Sequence, residues 1–181
     1  MSKHRTIKAN NLINYSIIIP AFNEEYYIGE VIDNLLAGMR KTSGLIGEII
    51  VVDNNSTDQT AKLAESKGVR VVFEAINQIS RARNTGSKDA NGEYLIFVDA
   101  DTRISQELLD LSLQRLKQEK CGGGGATIVF DTNQNQIFFG SFLPFFWSWI
   151  SKTFKLAAGS FIFCRKQLFL EAGGFSEKLF A

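Results

Sequence analysis

The sequence predicts an α/β domain with a mainly parallel central sheet and helices on both faces. Two observations carry this. Short runs rich in apolar and β-branched residues recur at 15–20, 48–52, 69–73 and 94–98, as strands buried on both faces do. Between them, apolar residues fall at helical spacing, the alternation expected of a strand–helix–strand fold. In such sheets ligands bind beyond the carboxyl ends of the strands, so function is sought in the polar residues after Ile19, Val52 and Val98.

The first strand, YSIIIP, is stopped by Pro20. Ile28, Val31, Ile32, Leu35 and Leu36 mark a helix over 28–40, closed by Gly44 and Gly47. EIIVV forms the second strand, 58–67 a helix ended by Gly68, 69–73 the third strand, and 80–90 a helix ended near Gly92. YLIFV is the fourth strand, and Leu108, Leu109, Leu111, Leu113 and Leu116 mark a helix over 105–119. After Cys121 the order loosens into a glycine run, a strand near 126–130, a polar turn at 133–135 and an aromatic stretch. A strand at 160–164 and a short helix over 166–172 follow. Residues 1–14 form a polar tail with no apolar run suited to a signal peptide. Residues 15–181 form one domain, because no repeat and no Pro- or Ser-rich linker interrupts them.

The 181 residues carry 20 basic and 19 acidic side chains, a balance that excludes an electrostatically driven nucleic-acid binder. The single histidine, His4, lies in the tail. Without an imidazole from a partner chain, this excludes Ser–His–Asp hydrolysis and His-ligated zinc in the core. Cys121 and Cys164 make neither a disulfide scaffold nor a zinc cluster and point to a reducing, cytoplasmic setting. Carboxylate, arginine and backbone chemistry remain.

Four strand-end features stand out. In Pro20-Ala21-Phe22-Asn23-Glu24-Glu25, Phe22 offers a flat face and the polar residues open a helix, where capping equally explains Asn23 and Glu25. Asp53 ends an apolar strand, where a carboxylate needs partners. The segment after it starts like a calcium loop, but Asp58 and Ala64 stand where that loop needs glycine and glutamate. Ser56, Thr57 or Asp58 is expected to cap the next helix. With Ser80 as a cap, Arg81 and Arg83 occupy a first turn whose dipole disfavours cations unless an anion such as phosphate sits there. Arg81, Asn84 and Lys88 share one face; a solvated basic turn is the alternative. In Asp99-Ala100-Asp101, read as extended, both carboxylates point one way and repel unless a proton or cation is shared. A divalent metal resolves this and bridges to a diphosphate. A helix-capping acidic turn is the alternative.

Five segments in this order, SIIIPAFNEE (16–25), VVDNNSTDQT (51–60), ARN-x-G (82–86), NGEYLIFVDAD (91–101) and EAGGFSEKLF (171–180), resemble a family 2 glycosyltransferase of the GT-A fold. The resemblance implies transfer of a sugar from a nucleotide-diphosphate sugar to an acceptor, a saccharide or a lipid-linked molecule, by inversion. It implies that Pro20, Phe22 and Glu24 border base and ribose, with Ala21 and Ala100 in the same nucleotide-sugar site. Asp53 would accept a hydrogen bond from the base, and Arg81 and Asn84 would lie near the nucleotide. Asp99 would hold the ribose or support the metal. Asp101 would bind Mg²⁺ or Mn²⁺ on the diphosphate and so serve catalysis.

An inverting member also needs a carboxylate base, usually in an acidic pair shortly after GGF-x-E. The sequence ends at Ala181 before such a pair, and Glu177 occupies a position that looks structural in the family. The expectation is a C-terminally truncated domain with intact donor binding and impaired turnover, a nucleotide-sugar-binding fragment. A competing reading is a haloacid-dehalogenase-like phosphohydrolase, whose nucleophile motif Asp99 to Thr102 mimics. That motif normally opens its domain and is followed by glycine.

Twelve of the 15 phenylalanines and both tryptophans lie at or after Phe130. The aromatic run 137–150, interrupted by Pro144, is too short to span a bilayer. Drawn as a helix, it aligns Ser141, Ser148, Lys152 and Lys155 in one polar stripe. One expectation is an interfacial helix from Ile137 to Phe154 lying on the inner face of a membrane and presenting a lipid-linked acceptor. The other is ordinary core packing.

Overall fold

The computed structural model describes residues 13–42, 44–119, 121–125 and 160–178. In chain order these form β1 (Tyr15–Ala21), α1 (Ile28–Met39), β2 (Gly47–Asp53), α2 (Thr60–Ser66), β3 (Arg70–Phe73) and α3 (Ile79–Asp89). They continue with β4 (Tyr94–Val98), α4 (Gln106–Lys117), β5 (Gly123–Gly125), β6 (Phe161–Arg165) and α5 (Lys166–Glu171).

The strands form one sheet in the order β3-β2-β1-β4-β6-β5. β1 pairs in parallel with β2 and β4, and β2 with β3. β6 runs antiparallel to β4 and β5. The central strands β1 and β4 are buried throughout. Their side chains alternate between two cores, as the strand period requires. Ile17, Ile19 and Ile96 pack with Val31, Ile32 and Leu35 of α1 and Leu109, Leu113 and Leu116 of α4. Ile18, Ile50, Val52, Leu95 and Phe97 face the other way, under Ala82 of α3 and against Phe169 and Phe175. β3 departs from the expected two-sided burial because it lies at the sheet edge, with Arg70 and Phe73 exposed.

α3 approaches the sheet closely at Gly86, where a Cβ would sit 2.5 Å from Ile18 Cγ2 and 2.8 Å from Val52 Cγ2. Only a residue without a side chain lets the helix lie this low over β1 and β2.

Two helices begin elsewhere than predicted. α2 starts at Thr60 rather than 58, because the Asp58 side chain accepts from the backbone of Thr60 and of Glu25, holding 58 and 59 in the preceding loop. α3 starts at Ile79, with Gln78 in the cap position and no side-chain cap, so Ser80 lies inside the helix. The predicted strand at 126–130, the turn at 133–135, the segment from Ile137 to Phe154 and most of the predicted tail lie outside the described residues. The glycine run read as loose contributes β5, paired with β6. Among the described residues, no helix is long and apolar enough to cross a membrane.

Candidate functional site

Because β1, β2 and β4 are parallel, their carboxyl ends open on one side of the sheet. There lies a cavity of about 340 Å³. Pro20, Ala21, Phe22 and Glu24 line it from the end of β1, and Asp99, Ala100 and Asp101 from the end of β4. Asn54, Asn77, Gln78 and Ile79 complete it. Seven sequence-predicted site residues are thus brought together.

Contrary to the expectation, the aspartates do not sit on extended backbone. β4 ends at Val98, and Thr102 N donates to Asp99 O at 3.0 Å, which closes a turn. The physical reason is Ala100. Its methyl is buried with the α1 and α4 core, anchoring the turn and leaving a carboxylate on each side. Asp99 Oδ1 accepts from Arg83 Nη2 at 2.7 Å, and that guanidinium lies 5.3 Å from the Phe175 ring centroid. Asp101 is exposed; its carboxylate accepts from Thr102 Oγ1 at 3.3 Å.

The electrostatics follow. Burial pushes the Asp99 carboxyl above its usual value against the opposing pull of Arg83, and Asp101 adds to the rise. Glu24 is raised by burial and then by the charges of Asp101, Asp58 and Asp99. The cavity therefore concentrates negative charge. Among the described residues no group of three or more acids, histidines or cysteines is arranged as a metal cage. Two carboxylates on one turn instead suit a hard divalent cation that takes its remaining oxygens from phosphate and water.

The expected capping roles of Asn23 and Glu25 are exchanged between loops. Asn23 Oδ1 accepts from Thr57 N at 2.8 Å and Glu25 Oε2 from Gln59 N at 3.1 Å. In return, Asn23 N donates to Ser56 Oγ at 3.1 Å and Glu24 N to Thr60 Oγ1 at 2.8 Å. Asn23 and Asn55 adopt φ of 55° and 66°, a conformation asparagine tolerates better than most residues.

Asp53, in register with Ala21, lies just behind the cavity wall rather than in it. It is 8% exposed, and its carboxylate accepts from Ser56 N at 3.1 Å. Asn54 lines the cavity and fastens the segment before α3. Its Nδ2 donates to Ile76 O at 2.6 Å and its Oδ1 accepts from Gln78 N at 2.9 Å. Arg81 and Asn84 share a face, as their spacing implies, but neither lines the cavity. The anion on that face is the chain's own Glu177, whose two oxygens accept from Arg81 Nη1 at 2.8 Å and Asn84 Nδ2 at 3.0 Å.

Sequence reasoning left Asn54, Asn77, Gln78 and Ile79 unassigned, and read Arg83 only as a first-turn cation beside an anion, not as the partner of Asp99. For Arg83 a signal was present. Ala82, Gly86 and Ala90 recur every fourth residue, a small-residue stripe that marks the sheet side of α3, and Arg83 borders it.

A mainly parallel sheet with an acidic cavity at the carboxyl ends of its strands and a strand-end Asp-Ala-Asp turn is an α/β scaffold of the GT-A type. Solved structures agree on the fold. The chain superposes on residues 1–349 of TarS from S. aureus with a TM-score of 0.69 at 24% identity, covering 93% of this chain and 52% of that one. It superposes on the mannosyltransferase PcManGT from Pyrobaculum calidifontis, in complex with GDP-Man and Mn²⁺, with a TM-score of 0.70 at 20% identity, covering 90% and 47%. The chain belongs to glycosyl transferase family 2, whose sequence model matches residues 16–168. This membership replaces the phosphohydrolase alternative. An uncharacterized glycosyltransferase of Bacillus subtilis (strain 168), EpsJ, is 40% identical over 109 residues, 58% of this chain and 29% of that protein. The poly(ribitol-phosphate) β-N-acetylglucosaminyltransferase TarS of Staphylococcus aureus is 33% identical over 106 residues, 54% and 18%. The matches thus span less than a third of these curated relatives.

Proposed function

We propose that the chain binds a nucleoside-diphosphate sugar in this cavity and presents the sugar for inverting transfer to an acceptor hydroxyl. The observation that carries the reading is the convergence of Glu24, Asp99 and Asp101 on one cavity, with Arg83 fixing Asp99 from behind. TarS has been solved with UDP-GlcNAc, and PcManGT with GDP-Man and Mn²⁺. Both support a donor of this class here.

Phe22, 42% exposed at the cavity wall, offers its ring to the base or ribose, with Pro20 and Ala21 beneath. Asp53, at the back of the wall, is the base acceptor the family resemblance implies. Asp99, oriented by Arg83, accepts from a ribose hydroxyl. Asp99 and Asp101 would hold Mg²⁺ or Mn²⁺. The carboxyls of Glu24 and Asp99, both raised by burial and by the charge of Asp101, and the exposed carboxylate of Asp101 fit such a cation. The cation would neutralise the nucleoside-diphosphate leaving group, electrostatic help typically of several kcal/mol. Glu177 does not serve as the base that deprotonates the acceptor, because both its oxygens are engaged by Arg81 and Asn84. The acceptor is a saccharide or a lipid-linked molecule, met at the cytoplasmic face of a membrane through the segment from Ile137 to Phe154.

Calorimetry with a panel of nucleoside diphosphates, with and without Mn²⁺, tests the reading. Metal-dependent binding of one base is expected; absence of binding to any of them overturns it.

A further inference from the structure

The residues around Glu177 form a connected strut that ends at the donor cavity. Glu177 takes Arg81 on one oxygen and Asn84 on the other, and its backbone carbonyl accepts from Gln78 Nε2 at 3.0 Å. Gln78 is a cavity residue. Arg81 also faces Glu74, its Nε 3.7 Å from Glu74 Oε1. Glu74 is fixed in turn by the Thr85 hydroxyl at 2.7 Å and the Ile76 amide at 3.0 Å. Arg81 thus lies between two carboxylates, Glu74 shortly before the cavity-lining residues 77–79 and Glu177, ninety-six positions after Arg81 in sequence.

The far end is equally fixed. Asn84 Oδ1 accepts from Phe175 N at 2.9 Å, and Asn84 Nδ2 donates to Phe175 O at 3.0 Å. Gly174, at φ 74°, brings the backbone so close that a Cβ would lie 2.6 Å from Asn84 Oδ1. Segment 174–177 is therefore clamped to α3 at two points.

We infer that Glu177 and Arg81 are positioning residues for the donor cavity: the Glu74–Arg81–Glu177 strut sets the placement of Asn77 and Gln78, and through them donor affinity, without touching the donor. This rests on the donor-binding reading, and the experiment separates the two. A side chain held between two charged partners loses one of its anchors when either carboxylate is removed, and charge-assisted bonds are the stronger kind.

The test measures UDP and GDP binding with Mn²⁺ by calorimetry, and hydrogen exchange of the 74–79 amides without ligand. It uses wild type, Glu177→Ala, Glu177→Gln and Lys178→Ala. Glu177→Ala is expected to weaken nucleotide binding about tenfold and to speed exchange at 74–79 relative to the strands. Glu177→Gln keeps an acceptor oxygen for one of Asn84 and Arg81 but presents an NH2 to the other and loses the charge, so it recovers only part of the affinity, while Lys178→Ala changes neither reading. If wild type binds nucleotide and Glu177→Ala leaves affinity and exchange unchanged, the strut has no positioning role. If wild type binds none of the nucleotides, the donor reading fails and exchange alone decides: faster exchange at 74–79 upholds the strut, unchanged exchange overturns it. If Glu177→Ala does not fold, Arg81→Gln is read by the same two measurements and the same criteria.

Discussion

Arg83 on α3 and Asp99 at the end of β4 form an ion pair at 2.7 Å, with the arginine side chain 8% exposed and the aspartate 27%. A pair this enclosed is costly to break from one side, because the remaining charge is left without compensation. Arg83→Met, which keeps contact with Phe175, is expected to lose about 2 kcal/mol of stability, short of the 3–5 seen for fully buried pairs. In an Asp99→Asn background the same change should cost less. Urea unfolding of the four proteins in the cycle measures this, and an equal loss in both backgrounds would deny the coupling.

Asp101 is exposed and bonds only to its neighbour's hydroxyl in the described structure. Asp101→Asn should leave the unfolding free energy from urea titration within about 0.5 kcal/mol of wild type, as surface changes do. It should abolish the dependence of nucleotide binding on Mn²⁺. Calorimetry with and without the metal reads the second effect.

Glu24 is raised above its usual 4.5 by burial and by Asp101, Asp58 and Asp99. The folded chain therefore keeps this proton to higher pH than the unfolded chain. The contribution of Glu24 to stability is greatest when it is protonated and falls as pH rises from the unfolded value through the raised one. Glu24→Gln should flatten that fall, so that its stability gain over wild type grows as pH rises above the ordinary glutamate value. Urea midpoints across the series, without added metal, check the sign.

Gly86 leaves 2.5 Å between an added Cβ and Ile18 Cγ2, on the inner side of two buried strands. Gly86→Val should destabilise by about 1–3 kcal/mol through overpacking. Because α3 carries Arg83, the nucleotide affinity of the folded fraction should fall too. A stability loss with unchanged affinity would show that α3 need not sit at this height to shape the cavity.

The aromatic segment gives a test of a different kind. Trp147→Ser/Trp149→Ser should reduce flotation with anionic liposomes if the segment lies on a membrane. Equal failure of wild type and variant to float would remove that reading.

The strands were legible because YSIIIP, EIIVV and YLIFV are apolar on both faces and end at polar residues, a pattern that periodicity reports directly. The loop caps were not, because Asn23 and Glu25 bond residues more than thirty positions away, beyond any local rule. The Asp-Ala-Asp segment was misread as extended because the buried methyl of Ala100, a tertiary fact, sets its turn. Arg81 was preferred over Arg83 for a similar reason. Both stand near a helix start, and only packing against Ile18 and Val52 decides which faces β4.

The exchange of bonds between the first two strand-end loops joins two walls of the cavity. Residues 22–25 and 56–60 are cross-linked, and Asn54, at the end of β2, ties in 74–78. The rim of the turn after Asp99 is held by an exposed ion pair between Arg103 and Glu30 and by Ile104 N donating to Asn34 Oδ1. Exposed pairs contribute little and are screened by salt. Added salt therefore weakens only the outer rim of the wall that carries Asp99 and Asp101, whose inner side is held by Arg83 and the buried Ala100.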